Sequence, residues 1–415
     1  MTNHPLGGEY SLPDFSLPTA SDANFPSENF MNLTYNTSYP GIDDLREGAR
    51  RRIPRFAFEY LDGGCNEDVN LRKNTDDLRQ VELKPLYLTP HEPPNMKTEL
   101  FGHEYAAPFG IAPIGLQGLI WPGSPEILAR AANEHNVPFI LSTVTTASIE
   151  KIGDITNGRF WYQLYHPAES TIRDDIMDRL QAAGCKTLVL LCDVPSFGFR
   201  PRDIRNGLAM PPRMTLRNIL QILGRPNWAM RTLLNGKPHF ATMAKYMPKG
   251  LNMKKLGAYM NSTFSGRLNE ERIKPIRDRW KGNLVLKGVA SEEDTETAIR
   301  LGLDGIIISN HGGRQVDAGE STIRSLLAIT AKYRGKIRMM IDSGIRTGPD
   351  IARALACGAE FTFLGRTFMY SVAALGNEGG QHAIAMLKVQ LNQVMEQLCC
   401  HRVADFGHHL LRKPD

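Results

Sequence analysis

From Pro108 onward the chain alternates short apolar runs with longer stretches of helical periodicity. The runs cover 108–113, 137–141, 159–165, 186–193, 283–289, 304–309, 337–342 and 360–365. They are rich in Val, Ile, Leu or Phe and lack regular polar alternation, as expected of parallel strands covered on both faces. Between them, stretches such as 124–136, 170–184, 292–302 and 348–358 repeat apolar residues at helical spacing, and several close on Gly, a common helix stop. Eight consecutive βα units predict a (β/α)8 TIM barrel in the α/β class, with a doubly wound sheet as the alternative. Residues 41–62 carry helical spacing and many basic positions ahead of the first strand. The gap between the fourth and fifth runs is much longer than the others, so an insertion is expected after strand four.

Charge changes how that insertion reads. The 415 residues hold 49 Lys and Arg against 44 Asp and Glu, a formal charge of +5. Residues 204–269 contain no acid and 11 of the basic residues. Without them 38 basic residues face 44 acidic ones, a net of −6. The picture is a mildly acidic barrel over 41–415 with a basic segment inserted at 204–269. That segment also holds Met210, Met214, Met230, Met243, Met247, Met253 and Met260, with Trp228, Phe240, Tyr246 and Tyr259. Basic residues interleaved with apolar and aromatic ones suit attachment to an anionic membrane surface without spanning it. A mobile lid over the active site is the competing reading. No RNA or DNA module accompanies the segment, so no nucleic-acid partner is expected.

Residues 1–40 contain no Lys or Arg, and Pro5, Pro13, Pro18, Pro26 and Pro40 stand among Ser and Asn. They read as an extended polar arm and not as a secretory signal or transit peptide. No apolar run approaches the ~18 residues of a spanning helix. Six cysteines show no metal-binding spacing, so no metal is expected; Cys185, Cys192 and Cys357 read as buried thiols in a reducing, cytoplasmic setting.

Barrel active sites are built at the C-terminal strand ends. Those ends here carry Ser142-Thr143, Gln163 with Tyr165, Asp193, Lys287, Ser309-Asn310-His311, Asp342 and Gly365-Arg366. Core packing alone does not place polar groups at nearly every end. In Ser309-Asn310-His311-Gly312-Gly313-Arg314-Gln315 a histidine just past a buried strand is placed to titrate near neutral pH. The two glycines admit close approach of a ligand, and Arg314 offers a planar fork to a carboxylate. Asp193, at a neighbouring strand end, is placed to orient His311. Arg200 would complete a carboxylate clamp. Asp342-Ser343-Gly344-Ile345-Arg346 and Gly365-Arg366 follow strands seven and eight, where barrels often bind phosphate.

With Phe58-Glu59-Tyr60, Ile111-Ala112-Pro113 and Gln163-Leu164-Tyr165 in order around these motifs, the chain resembles the FMN-dependent L-2-hydroxy acid oxidising family. That family includes glycolate and lactate oxidases, lactate monooxygenase, and L-lactate and mandelate dehydrogenases. The resemblance runs from about Gly41 to the C-terminus. It implies FMN as cofactor and a small 2-hydroxy acid as substrate. It casts His311 as base with Asp193 as its partner, Arg200, Arg314 and Tyr60 on the substrate carboxylate, and Tyr165 on its hydroxyl. Lys287 would sit by the flavin N1/O2 edge, and Ser142, Gln163 and Ser309 by the ring or ribityl chain. Asp342 would hold ribityl hydroxyls, and Arg346, Gly365 and Arg366 the phosphate. Pro113, Ile114, Gly115, Ser343 and Gly344 complete the cofactor-binding set. Family members are commonly homotetramers. Leu191 departs from a frequent Thr, Gly115 and Ser343 look more like the dehydrogenases and the monooxygenase, and Val144 replaces a bulky aromatic of glycolate oxidase. The basic segment is similar to those of membrane-associated dehydrogenases, which implies quinone or another membrane carrier as acceptor, with O2 as the alternative.

Overall fold

The computed structural model describes residues 36–414 except 91, 197, 209–212, 237, 249–258, 261 and 265. The expected arm up to residue 35, and Met210, Lys237, Lys249, Met253, Lys254 and Lys255 of the basic segment, lie outside the described residues. Eight parallel strands form one sheet: β1 (Phe109–Ile111), β2 (Ile140–Ser142), β3 (Trp161–Leu164), β4 (Thr187–Leu191), β5 (Asn283–Val289), β6 (Gly305–Ile308), β7 (Arg338–Ile341) and β8 (Phe361–Leu364). Each pairs with its sequence neighbour from β2 to β8, and β8 pairs back onto β1. A parallel bridge between Ile111 and Phe139 closes the ring, so the sheet is a (β/α)8 barrel and not an open doubly wound one.

Every strand overlaps one of the apolar runs because each is buried on both faces: into the barrel and against the surrounding helices. The inner face packs Ala112, Ile140, Trp161, Val189, Val285, Ile307, Met340, Phe361 and Phe363 into one core. A hairpin of Thr98–Leu100 and His103–Tyr105 seals the N-terminal mouth. Leu100, Phe101 and Tyr105 pack on that core, and the Trp161 indole N–H donates to the Tyr105 hydroxyl at 3.2 Å. With that end closed, ligand access is left to the C-terminal face.

The helical stretch before the barrel is two helices, Ile42–Arg52 and Arg55–Asp62, divided at Pro54, whose ring cannot continue the first. The second ends over the C-terminal face. The long connection from β4 to β5 holds helices Pro201–Arg205, Leu216–Leu223, Pro226–Asn235 and Glu270–Arg279. All six cysteines are free; Cys185 and Cys357 are buried and Cys192 is partly so. Among the described residues no helix is long and apolar enough to cross a membrane, and no His, Cys, Asp or Glu cluster could hold a metal.

Candidate active site

A cavity of about 510 Å³ opens at the C-terminal ends of the strands. Of the residues singled out in the sequence, Tyr60, Pro113, Ile114, Gly115, Tyr165, Arg200, Lys287, His311, Arg314, Asp342, Ser343, Arg346, Gly365 and Arg366 line it. Asp193, Ser142, Gln163, Ser309 and Gly344 do not; they stand behind the wall.

His311 begins the loop after β6 with φ +57, followed by Gly312 at +67 and Gly313 at +71. Three successive left-handed residues turn the chain sharply, and a non-Gly residue there carries backbone strain that the surroundings must hold. Asn310 holds it. Its backbone carbonyl and its side-chain Oδ1 both accept from the Gly313 amide at 3.1 Å, and its side chain exchanges hydrogen bonds with that of Asn74 at 2.7 and 2.8 Å. Gly313 packs so tightly on helix Val69–Arg79 that a Cβ would lie 2.5 Å from the Leu71 nitrogen. Ser343, itself at φ +73, accepts from the Gly312 amide at 2.9 Å and donates to Asp342 at 2.8 Å, so its hydroxyl is spent on the protein.

Behind the ring, His311 Nδ1 lies 3.0 Å from Asp193 Oδ1. Burial pulls the imidazole below its usual range, and Asp193 only partly opposes it. His311 is therefore neutral at neutral pH, with Nδ1–H directed at the carboxylate and Nε2 left to accept a proton. Burial works against the Asp193 charge, but His311 and Lys287 outweigh it and keep the carboxyl low. Gly288 makes room for this pair. It sits in a bulge of β5 at φ +105, where a Cβ would meet Asp193 at 2.6 Å.

Lys287 lies two residues before the end of β5, not at it. Its ammonium donates to Ser309 Oγ at 2.8 Å and pairs with Asp342 at 2.9 Å. Burial disfavours that charge, yet Asp342 and Asp193 more than offset this and raise its pKa.

The arginines are the site's electrostatic signature. Arg314 donates to the carbonyls of Tyr60 at 2.8 Å and Gly63 at 2.6 Å, and its guanidinium sits 5.0 Å from the Tyr60 ring centroid. Arg366 donates to the carbonyls of Leu61, Gly63 and Gly312. These are largely the orphan carbonyls at the end of helix Arg55–Asp62, so that helix terminus orients both guanidiniums. Burial, aggravated by Arg200, pushes Arg314 down to about 9. Burial, aggravated by Arg346, pushes Arg366 to about 10, and Arg346 is lowered for the same first reason. Arg200 with Arg314, and Arg346 with Arg366, crowd two cations at each of two places, and Asp203 at 3.9 Å from Arg200 offsets only part of the first. Such a cavity favours anions at two places.

Sequence reasoning missed several contributors. Asn74 and Gly288 shape the histidine pair. Asp62, bound by Arg46 at 2.6 Å, Arg202 at 3.1 Å and Tyr370 at 2.7 Å, secures the helix end. Asp203 is buried 3.9 Å from Arg200, and Phe240 and Met260 of the insertion line the cavity. Only Gly288 left a local signal, as a glycine inside a strand.

A family model described as FMN-dependent dehydrogenase matches residues 49–413. An L-lactate dehydrogenase of Vibrio cholerae serotype O1 is 35% identical over 371 residues, 89% of this chain and 98% of its own. One from Stenotrophomonas maltophilia is 36% identical over 369 residues, 89% of this chain and 97% of its own. Among solved structures, the monotopic membrane protein (S)-mandelate dehydrogenase matches at TM-score 0.85 and 32% identity, covering 90% of this chain and 99% of its own. A mandelate oxidase matches at TM-score 0.75 and 29% identity, covering 89% of this chain and 97% of its own. With the barrel, the two cation pairs and these matches together, the chain belongs to the FMN-dependent dehydrogenase family.

Proposed function

We propose that this protein oxidises an L-2-hydroxy acid to the 2-oxo acid with bound FMN and passes the electrons to a quinone or another membrane carrier. The observation that carries the reading is a half-buried His311, braced by Asp193, sharing one cavity with Arg200 and Arg314.

The residues present fit FMN. Arg366 is buried and Arg346 half-buried beside it, and burial lowers both, so the pair suits an anion such as a phosphate. Gly365 lines the cavity beside Arg366, and a Cβ there would fill the gap to Ile114 and Ala112 at 3.7–3.9 Å. Arg346, Gly365 and Arg366 would hold the phosphate, Asp342 the ribityl hydroxyls, and Lys287 the electron-rich edge of the ring. Ser142, Gln163, Ser309, Pro113, Ile114, Gly115, Ser343 and Gly344 complete the proposed set, those behind the wall acting through the backbone or through neighbours. When bound, FMN supplies the two-electron acceptor.

The protein's own groups do the rest. Arg200 and Arg314 take the substrate carboxylate, and Tyr60, stacked on Arg314, steadies it. Tyr165 faces the hydroxyl; burial raises its phenol, so it stays a donor. The alcohol loses one hydrogen from its α-carbon and one from its hydroxyl as it becomes a carbonyl: His311 Nε2 receives one as a proton, and the other would leave with the two electrons to the acceptor that FMN supplies. Asp193 fixes the tautomer and stabilises the imidazolium that forms.

The membrane reading rests on the insertion. Leu216, Ile219, Leu220 and Leu223 recur along one helix, yet all are exposed, as are Met230, Leu233 and Leu234 on the next. Arg213 and Arg217 flank them, and Arg225 joins the two helices. An unpartnered apolar face beside cations suits the headgroup boundary of an anionic bilayer, on the inner face of the membrane. The (S)-mandelate dehydrogenase neighbour is itself described as monotopic. The homotetramer implied by the family resemblance belongs to the same proposal and is read by light scattering.

Anaerobic mixing with a panel of L-2-hydroxy acids tests the oxidation, and bleaching of the flavin is the expected result. Admitting either air or a soluble quinone then tests the acceptor. Fast reoxidation by quinone and slow reoxidation by air supports a dehydrogenase; rapid peroxide formation makes it an oxidase.

A further inference from the structure

Besides its cationic ends and catalytic groups, the cavity has an apolar wall. Ile120, Val144, Leu208, Phe240 and Met260 all face the cavity. Phe240 and Met260 do not come from the barrel. They belong to the β4–β5 connection that also supplies Arg200, and they line the same cavity as Arg200 and Arg314. Both are buried, at 7% and 2% exposure, although no part of the barrel core encloses them.

They are fastened rather than draped. The Ala241 amide donates to the Thr145 carbonyl at 3.1 Å, and Arg179 donates to the Thr242 carbonyl at 3.1 Å. These tie the strip carrying Phe240 to the loop after β2 and the helix after β3. The Ala168 amide donates to the Thr263 carbonyl at 2.7 Å, and the Phe264 ring meets Tyr165 edge-on at 5.7 Å. These tie the strip carrying Met260 to the loop after β3. Here the insertion is fastened to the barrel as a wall of the cavity.

A substrate whose carboxylate lies between Arg200 and Arg314, with its α-carbon within reach of His311, must send its side chain somewhere. Polar groups occupy the clamp end, and the cofactor's phosphate needs the Arg346–Arg366 end. On the same reading the cofactor's ring takes the side of Ile114, Gly115 and Lys287, and the wall of Phe240 and Met260 is what remains. Val144 joins that wall, and a methyl group would leave Phe240 and Met260 facing water or a void. We propose that Phe240 and Met260 form the subsite for the substrate's side chain, and that the preferred substrate is a 2-hydroxy acid with a bulky apolar side chain and not lactate. This rests on the oxidation reading above and narrows it.

The experiment compares kcat/KM for (S)-mandelate and L-3-phenyllactate with that for L-lactate, using a dye acceptor. In the unmodified protein the bulky acids are favoured by at least about tenfold, the scale on which apolar pockets discriminate. Met260→Trp fills the subsite and lowers that preference at least about tenfold, while Met260→Leu retains it. FMN absorbance reports whether each variant is folded and loaded. If Met260→Trp fails to bind FMN, Phe240→Ala strips the same wall and lowers the same ratio. A lactate preference in the unmodified protein overturns the proposal, as does an unmoved ratio in a loaded variant. If neither acid class bleaches the flavin, the oxidation reading fails instead, which is a separate result.

Discussion

At the barrel's open end, the half-buried Arg314 and the buried Arg366 are held by backbone carbonyls and aimed at a shared cavity. On the two insertion helices, Arg217 is exposed beside leucines that are also exposed. The same residue type serves opposite ends. Buried guanidiniums lose hydration and gain it back only from an anion that enters, so they select a small charged ligand. Exposed ones keep their hydration and add only a screened attraction to a charged surface. Apolar residues divide the same way. Helical spacing buries Leu355, Ile351 and Ala354 of Gly348–Ala356 against the barrel. Equivalent spacing in Leu216–Leu223 leaves its apolar face in solvent. A pattern therefore predicts a helix, but the partner its face meets has to be found in the fold.

Several changes would break or sharpen that contrast. The largest effect belongs to His311→Gln, which keeps the ring's place but removes the base. Turnover falls by roughly 10²–10⁴-fold, the usual share of general-base catalysis, while FMN absorbance persists. Next comes Arg314→Met. Truncating one side of a buried charged contact costs about 2–5 kcal/mol, which appears as a loss in kcat/KM, with the rise in KM carrying much of it. Gly288→Ala acts one layer back. It puts a Cβ 2.6 Å from Asp193 at a left-handed φ, so both thermal stability and the flavin-reduction rate drop, the first by about 1–3 kcal/mol. The smallest catalytic effect comes from Leu216→Ser, Leu220→Ser and Leu223→Ser together. Dye-coupled turnover in solution stays within about twofold, while partition onto anionic vesicles falls by about tenfold or more. If that triple variant instead lost turnover and kept its vesicle binding, the division between the two regions would be wrong.

What the sequence made legible follows from distance along the chain. The strands announced themselves because burial on both faces writes a continuous apolar run. The polar strand ends then stood out against those runs, and the closed barrel brings most of them to one cavity. The supports were hidden because their partners are remote. Asn74 meets Asn310 across 236 positions, and Arg314 finds the Tyr60 carbonyl across 254. Phe240 and Met260 were visible as part of a basic, methionine-rich segment. Nothing local said that these two turn inward while Leu233 turns out, because loops fastened by backbone hydrogen bonds carry no periodicity.

The central claim is that burial keeps His311 neutral so that it can take a proton, with Asp193 stabilising the charged form. The rate of anaerobic flavin reduction by a 2-hydroxy acid, followed against pH, tests it directly. A base must be unprotonated, so activity is present above its pKa and lost as pH falls through it. Because burial lowers His311 from its ordinary 6.5, the account predicts a rate that holds through neutral pH and declines only on the acid side of that value. Asp193→Asn removes a group that favours the imidazolium, so the decline moves further toward acid and the maximal rate drops. A rate that rises as pH falls through this range, or a decline that Asp193→Asn shifts toward alkaline pH, would contradict it.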